Sequence, residues 1–528
     1  MKGKMFIIDI VLIAFVINAN FYNKPVKVDV NNDMCKIAKA MPAIPIKMDT
    51  MAKPFNAEKY ASNFAGVDIQ VTSNELNDEH PSICIIYDGN PFVLYDAEMM
   101  IETFDKNIVI QKSPDGGNTW EDPENMWMFE IPDTMETHPE ISVIEGGYRA
   151  FGTYEVEPPE ANLYFLDFVD LADYTTWTAY YFDLSDRSTY VLDTTITTYG
   201  ASTIAIACVS DFTYGEYDLD DTLHVLWNME GGEGSWSGLF LINQDNEGNT
   251  FPVSRISAAS GERMLIVYQM ERYGDENVYV ISAPGDDPAF ENWRISRVST
   301  GYGNATNPVV AASGKYYYIV MQNDAAGNED IVCYTSTNAF FWQKRIIANS
   351  PDDEIFPSIT ADGEKAICTF IKNGELYMCK TEDGGNTWSE PEKVNDVNAT
   401  VIGDYGSVDI NGPFIIWTDN RNGNNDLYLD TAAAPVISID VAGGFGIKLT
   451  ISNTGTAEAT DLPWSISIDG FILLGKEKSG TIATLPPGQT ITINLIPIGI
   501  GPATITATAG SVRDTVKAFI IGPMVILT

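Results

Sequence analysis

With 528 residues the chain exceeds what one ordinary hydrophobic core fills, so it holds two or more domains or a closed repeat array. Its 73 Asp and Glu against 31 Lys and Arg give a net charge of −42, which argues against nucleic acid and anionic membrane surfaces as partners. Apolar residues at 45% with 11% aromatics exclude an acidic disordered chain.

From the N-terminus, Lys2 and Lys4 precede an apolar run, Met5 to Ile17, of thirteen residues interrupted by Asp9, with Ala19 as a small residue for cleavage. Segment 1–19 therefore reads as a signal peptide or N-terminal anchor, and the run is short against the ~20 residues that span a bilayer. No later stretch is long and apolar enough to cross, so the expected location is secreted or cell-surface, with no membrane span beyond that anchor. Residues 20–64 carry seven lysines and several prolines without periodicity and read as a linker or arm. The six cysteines show no C-x-x-C spacing, which argues against structural zinc.

Two segments nearly coincide: Ser113-Pro-Asp115-Gly-Gly117-Asn-Thr119-Trp120 and Thr381-Glu-Asp383-Gly-Gly385-Asn-Thr387-Trp388, with a worn copy at Ser336–Trp342. In the two full copies, hydroxyl and carboxylate can bond loop amides, the glycines permit φ > 0, and the Trp can bury itself between sheets. A second repeat places an anchor before a β-rich run: His80-Pro81, His138-Pro139, Tyr199-Gly200, Phe251-Pro252, Asn307-Pro308, Phe356-Pro357 and Tyr405-Gly406. The Pro or Gly positions lie 58, 61, 52, 56, 49 and 49 residues apart, near the period of a four-stranded propeller blade. Seven anchors predict a seven-bladed β-propeller over 65–432, six blades being the alternative count, with residues 65–72 supplying the outer strand that the last unit lacks. From residue 433 the texture changes: 433–528 holds five Lys or Arg and six Asp or Glu, and Val/Ile/Thr alternation predicts an Ig-like β-sandwich. The chain is thus expected to be all-β.

The repeated box resembles the Asp box of sialidases and of the wider class of BNR-repeat propellers. Segment 451–459, followed by Leu485-Pro-Pro-Gly-Gln489, resembles CARDB-type modules of prokaryotic surface proteins, which usually act as spacers or adhesion modules. The sialidase resemblance implies three arginines gripping a substrate carboxylate, a Tyr/Glu nucleophile pair and an Asp acid. The first arginine of this chain, Arg149, falls after the first box, so the F/Y-R-I-P motif is absent; Arg255, Arg272, Arg294 and Arg421 are the arginines open to recruitment. Acids available to glycosidase chemistry are Asp78, Glu79, Glu136, Glu140, Asp352, Asp353, Glu354 and Asp404, too many for any one to be informative.

The resemblance also implies boxes on one face and strand-one loops on the other. His80, His138, Tyr199, Phe251, Asn307, Phe356 and Tyr405 then form a ring at the channel mouth, either binding a ligand or packing the seams between blades. Oxygen-rich turns with Asp324 and Asp330, and with Asp419 and Asp426, are candidates for Ca²⁺, hydrated turns being the competing reading. The expected function is an extracytoplasmic, non-catalytic binding or adhesion protein for a glycan or protein ligand, the alternative being a diverged sialidase-like glycoside hydrolase.

Overall fold

The computed structural model describes residues 68–527 except 101–102, 121–126, 130–133, 159–160, 172–175, 185–187, 215–216, 233–235, 242, 244–248, 273, 285–292, 432–436, 454–458, 487 and 511. The signal or anchor segment 1–19, the arm 20–64 and Cys35 lie outside the described residues. The regular elements described are all strands.

Twenty-eight of them form seven four-stranded antiparallel sheets, numbered here 1 to 7 in chain order. Their first strands are Asp78–Ile85, Glu136–Val143, Leu192–Tyr199, Val253–Ser260, Ala305–Ser313, Ile355–Asp362 and Val408–Asn411. Each of these strands touches the first strand of the sheet before it and of the sheet after it, and the last touches the first, so the sheets stand in a closed ring, a β-propeller.

Period-two alternation delivers both faces of each sheet to a neighbour. Along Tyr316–Asn323, Tyr317, Ile319 and Met321 enter the core shared with sheet 4, while Tyr318 and Val320 enter the core shared with sheet 6. Each of the seven seams has its own apolar cluster, and each contains a tryptophan from the later sheet of the pair: Trp120, Trp177, Trp236, Trp293, Trp342, Trp388 and Trp417.

The two boxes fold identically. Ser113 Oγ accepts the Gly117 amide at 2.7 Å, and Asp115 accepts the Thr119 amide at 2.7 Å and its hydroxyl at 2.8 Å. Thr381 and Asp383 repeat this with Gly385 and Thr387, at 3.1, 2.9 and 2.7 Å. Ser336 and Asn338 make a shortened version, and Asn228 makes one that the sequence pattern missed, its Oδ1 accepting the amides of Glu230 and Gly232 ahead of Trp236. Trp120 and Trp388 are half-buried against their seams rather than enclosed.

Ring closure uses both ends of the described propeller. Ile69 and Gln70 pair with Leu429 and Tyr428 on the outer edge of sheet 7. Arg421 fastens this join: it donates to Asp419 at 2.9 and 2.6 Å, lies 2.7 Å from Asp68, and stacks on Tyr428 at 3.8 Å. It is therefore committed to structure rather than free for a ligand. Burial opposes ionisation of Asp419, yet the Arg421 and Trp417 hydrogen bonds hold its carboxyl below the usual range.

After residue 436 the chain forms a separate β-sandwich. Strands Ile437–Ala442, Ile447–Asn453 and Thr490–Leu495 make a three-stranded sheet that shares a core with a six-stranded one, centred on Leu449, Ile451, Ile466, Ile468, Ile505 and Ile520. Within sheet 6, Cys368 and Cys379 sit directly opposite across the hairpin as buried free thiols; burial pushes the Cys379 thiol up to about 12 and Cys368 well above its usual value.

Two outcomes follow. Trp120→Ala should destabilise the ring by about 2–3 kcal/mol, below the cost for a wholly enclosed Trp because this ring is half-exposed; an unchanged denaturation midpoint would show that the box Trp does not hold the seam. Arg421→Met should cost about 3 kcal/mol, since it leaves Asp68 and Asp419 buried without their cation, and hydrogen exchange should accelerate first at residues 69–71.

Candidate functional site

The seven chain entries converge on the axis through one local device. His80, His138, Asp193, Arg255, Asn307 and Phe356 take φ between 44° and 51°, and Gly406 takes 76°. Left-handed backbone is costly for residues other than glycine, so its recurrence at equivalent points of the ring marks a constructed feature. In sheets 1 to 6 the register between the first two strands shifts at this point, a bulge that re-aims the side chain.

The kink is secured from the preceding sheet. The His138 amide donates to Asp96 Oδ2 at 3.2 Å, the Arg255 amide to Asp193 Oδ2 at 3.0 Å, the Asn307 amide to Gln269 Oε1 at 3.0 Å, and the Phe356 amide to Gln322 Oε1 at 2.9 Å.

Five of the seven expected ring residues, His80, His138, Asn307, Phe356 and Tyr405, line the central channel, a cavity of about 940 Å³. Tyr199 and Phe251 do not. They pack in the seam between sheets 3 and 4, where Phe251 carries Arg272 at 4.7 Å from its ring centre. Their places at the kink belong to Asp193 and Arg255, which are followed by Thr194 and Ile256 rather than by the Pro or Gly that marks the other units. In sheet 7 the kink is Gly406, with Tyr405 one residue before it.

At the mouth four planar groups from four sheets stack in sequence. Arg255 lies over Tyr405 at 4.1 Å, Tyr405 meets His138 at 5.6 Å, and His138 stacks on His80 at 3.9 Å and 26°. Sheets 4 and 7 stand on opposite sides of the ring, so the Arg255 and Tyr405 pair spans the mouth. His80 Nδ1 is 2.6 Å from Asp96, which Lys106 also contacts at 2.9 Å while bonding Glu79. Among the described residues, His, Cys and acid groups converge as a threefold metal-ligand set only at Glu79, His80 and Asp96, and there the Lys106 ammonium already supplies the cation.

The acidic turns considered for Ca²⁺ carry hydrogen bonds from protein donors. Asp324 accepts both nitrogens of Asn304 at 2.7 and 3.0 Å, and Asp330 takes Asn328 at 3.5 Å. Asp419 takes the Arg421 fork, and Asp426 takes Gln70, Asn422 and Asn424 at 3.0, 2.9 and 3.2 Å.

Beneath the stack the channel holds carboxyl groups whose burial disfavours charge. Glu140 is pushed up to about 8 by burial, against the hydrogen bond it accepts from Thr195 Oγ1 at 2.6 Å. Glu155 is held well above the carboxylate range by burial and then by Asp193; Asp409 on the channel wall and Asp193, which pairs with Arg255 and does not line the cavity, are also raised, burial again leading. Burial and the neighbouring His80 lower His138 to about 3, so it is a neutral imidazole at physiological pH. Burial, then the negative field of Asp193, Glu140 and Glu155, raises the Tyr405 phenol well above its usual value. Of the acids named from sequence, Glu140 faces the channel, whereas Glu79 is tied to Lys106 and Glu354 to Ser350. Glu155, Asp193 and Asp409 were not legible as site residues, because only the ring topology brings them together.

The fold and site together define a β-propeller with a polar, aromatic-capped axial channel. No protein-family model matches the chain, and no curated protein matches it. Among solved structures it is similar to a Dyadobacter fermentans protein of unknown function, at 12% identity over 69% of this chain and 98% of that one, with a TM-score of 0.41. It is similar to the polysaccharide lyase Uly1 at 11% identity over 72% and 94%, TM-score 0.43, and to Trypanosoma rangeli sialidase at 12% identity over 86% and 88%, TM-score 0.35.

The sign of the pH dependence follows from Glu140. Its carboxyl is raised in the fold, so the stability it contributes is present below the unfolded value of 4.5 and is lost as pH rises through about 8. Asp78, raised by burial to about 8, adds a parallel slope. The difference in unfolding free energy between the parent and Glu140→Gln, measured from pH 4 to pH 9, should therefore shift in favour of the variant as pH rises. A difference flat across that window would show that Glu140 ionises normally.

Proposed function

We propose that the chain is an extracytoplasmic binding protein whose propeller recognises a glycan at the axial channel, with the C-terminal sandwich as spacer or attachment module. The stack of Arg255, Tyr405, His138 and His80 across the mouth carries this reading. The stacked rings give the channel mouth an apolar, planar border for the C–H groups of a sugar ring, while the flanking carboxyls and amides, Glu140, Glu155 and Asn307 among them, meet its hydroxyls. A cavity of about 940 Å³ falls within the range of ligand sites. Protonated carboxyls suit a neutral, hydroxyl-rich ligand, because each offers both a donor and an acceptor. Among the described residues lining the channel there is no arginine to grip an anionic sugar, Arg255 being engaged with Asp193 and Tyr405 above it.

One observation favours the second reading, a diverged sialidase-like glycoside hydrolase: the Tyr405 phenol lies in the electrostatic field of Glu140, Glu155 and Asp193, a tyrosine and acids gathered at one channel.

A glycan array followed by a chromogenic glycoside panel separates the two. Binding of neutral glycans without turnover is expected, and Tyr405→Ala should weaken it by up to about tenfold, the upper worth of one aromatic contact, while leaving the melting temperature within a few degrees. Turnover of a glycoside that Tyr405→Phe abolishes would instead establish the hydrolase, and an array with no hits would remove the glycan.

A further inference from the structure

The six-stranded sheet of the C-terminal domain is built inside out at one end. Along Ile498–Ala509 the core-facing positions are Ala503, Ile505, Ala507 and Ala509, but in the same register towards the strand's start they are Gly499 and Gly501. On the paired strand, core-facing Ala518 and Ile520 give way to Gly522. At this end the bulky groups point the other way. Ile500 stands opposite Ile521, Ile521 opposite Met524, Met524 opposite Phe445, and Phe519 opposite Ile526, an outward apolar face running across four strands. Phe445 is 72% exposed, Ile500 63% and Ile521 53%. Segments 470–475, 496–502 and 519–527, which build this end, contain no charged residue. Farther along the same outward face the residues become Thr504, Thr506, Thr515 and Lys517, so the apolar half has a defined polar border.

We propose that this face is the interface of a homodimer in which two C-terminal domains pack sheet on sheet. Ile526, Met524 and Phe519 are 51%, 45% and 41% exposed, and Phe471 and Leu473 on the adjoining strand 64% and 68%, one contiguous apolar face at or above the ~300–600 Å² of the largest patch on a typical monomer and of the order of the ~800 Å² per partner of a stable complex. A flat pleated face meets its own copy about 10 Å away by the geometry that already joins the two sheets of the sandwich, and a two-fold axis makes one patch serve both partners. Charge selects the same occupant. Residues 1–432 carry all but one unit of the net −42, whereas this domain, with five basic and six acidic residues, is close to neutral, so charge repulsion between two copies is weakest here. An anionic bilayer would meet the repulsion of the whole ring.

Sedimentation equilibrium of the full chain tests this. The parent should sediment at twice its 58.0 kDa mass at micromolar concentration, and Ile521→Lys should raise the dimer dissociation constant at least about a hundredfold. Ile500→Thr, which keeps a β-branched residue in the strand, should weaken the dimer in the same direction with an unchanged melting curve; it supplies the answer if Ile521→Lys fails to fold. A parent that sediments as a single chain up to roughly 100 μM overturns the proposal, whether or not it then floats with phosphatidylcholine vesicles. So does a dimer that both variants leave intact. A failed glycan array would not bear on it, since the face lies in the other domain.

Discussion

The propeller depends on one constraint: a sheet with two apolar faces cannot end in water. Every sheet in this ring sends alternate side chains into two seams, so removing one neighbour exposes an entire cluster such as that of Phe414, Ile416, Leu427 and Leu429. No terminal sheet carries a polar outer face that would let the array stop, as an open solenoid requires. The array must close, and it does so where Ile69 and Gln70 join Leu429 and Tyr428, a pairing spanning nearly the whole propeller sequence. Arg421 is held there by two buried carboxylates because the join is short, two residues of ladder, and gains little from backbone hydrogen bonds alone.

Closure then produces the site. Seven first strands brought round one axis crowd their entry points, and a bulge with left-handed backbone lets the chain turn in while aiming a side chain at the channel. Acceptors on the preceding sheet, Asp96, Gln269 and Gln322 among them, take the amide that each kink frees, so the strain is distributed round the ring and secured by it. The residues at the kinks differ in chemistry: two histidines, an aspartate, an arginine, an asparagine, a phenylalanine and a glycine. The scaffold fixes where a group points, not which group stands there.

Local chemistry was legible in the sequence and long-range chemistry was not. The boxes could be read because all their hydrogen bonds fall within four residues; the variant at Asn228 escaped because an amide replaces the hydroxyl and no Thr-Trp pair follows in register. The anchors at His80, His138, Asn307 and Phe356 could be read from the proline behind them. In sheets 3 and 4 no proline follows the kink, and Tyr199-Gly200 and Phe251-Pro252, which only border the first strand, took the attention that belonged to Asp193 and Arg255. Nothing in the spacing could say that Arg255 would cross the ring to Tyr405. Glu140 was visible as one of many acids and became distinct only through its burial beside Glu155 and Asp409. The sandwich was legible from its alternation, whereas its outward apolar face was not, since an Ile-Gly-Ile-Gly run reads the same whichever way the isoleucines point.

These buried acids also change the meaning of the composition. A net charge of −42 assumes that every carboxyl is ionised, but burial pushes Asp78 and Glu140 up to about 8 and Asp430 to about 6, and it holds Glu155 well above the usual carboxylate range. Near neutrality the folded ring therefore still holds protons that the unfolded chain has already released, and it is less acidic than its sequence. Protons do inside the channel what Lys106 does beside it, where an ammonium neutralises Glu79 and Asp96 directly. Two ways of cancelling charge divide the site: a fixed cation under the His80 end of the stack, and exchangeable protons along the channel wall. The fixed cation anchors the scaffold at any pH in the physiological range, while the protonated wall can present hydroxyl donors to a ligand only as long as the medium leaves them in place.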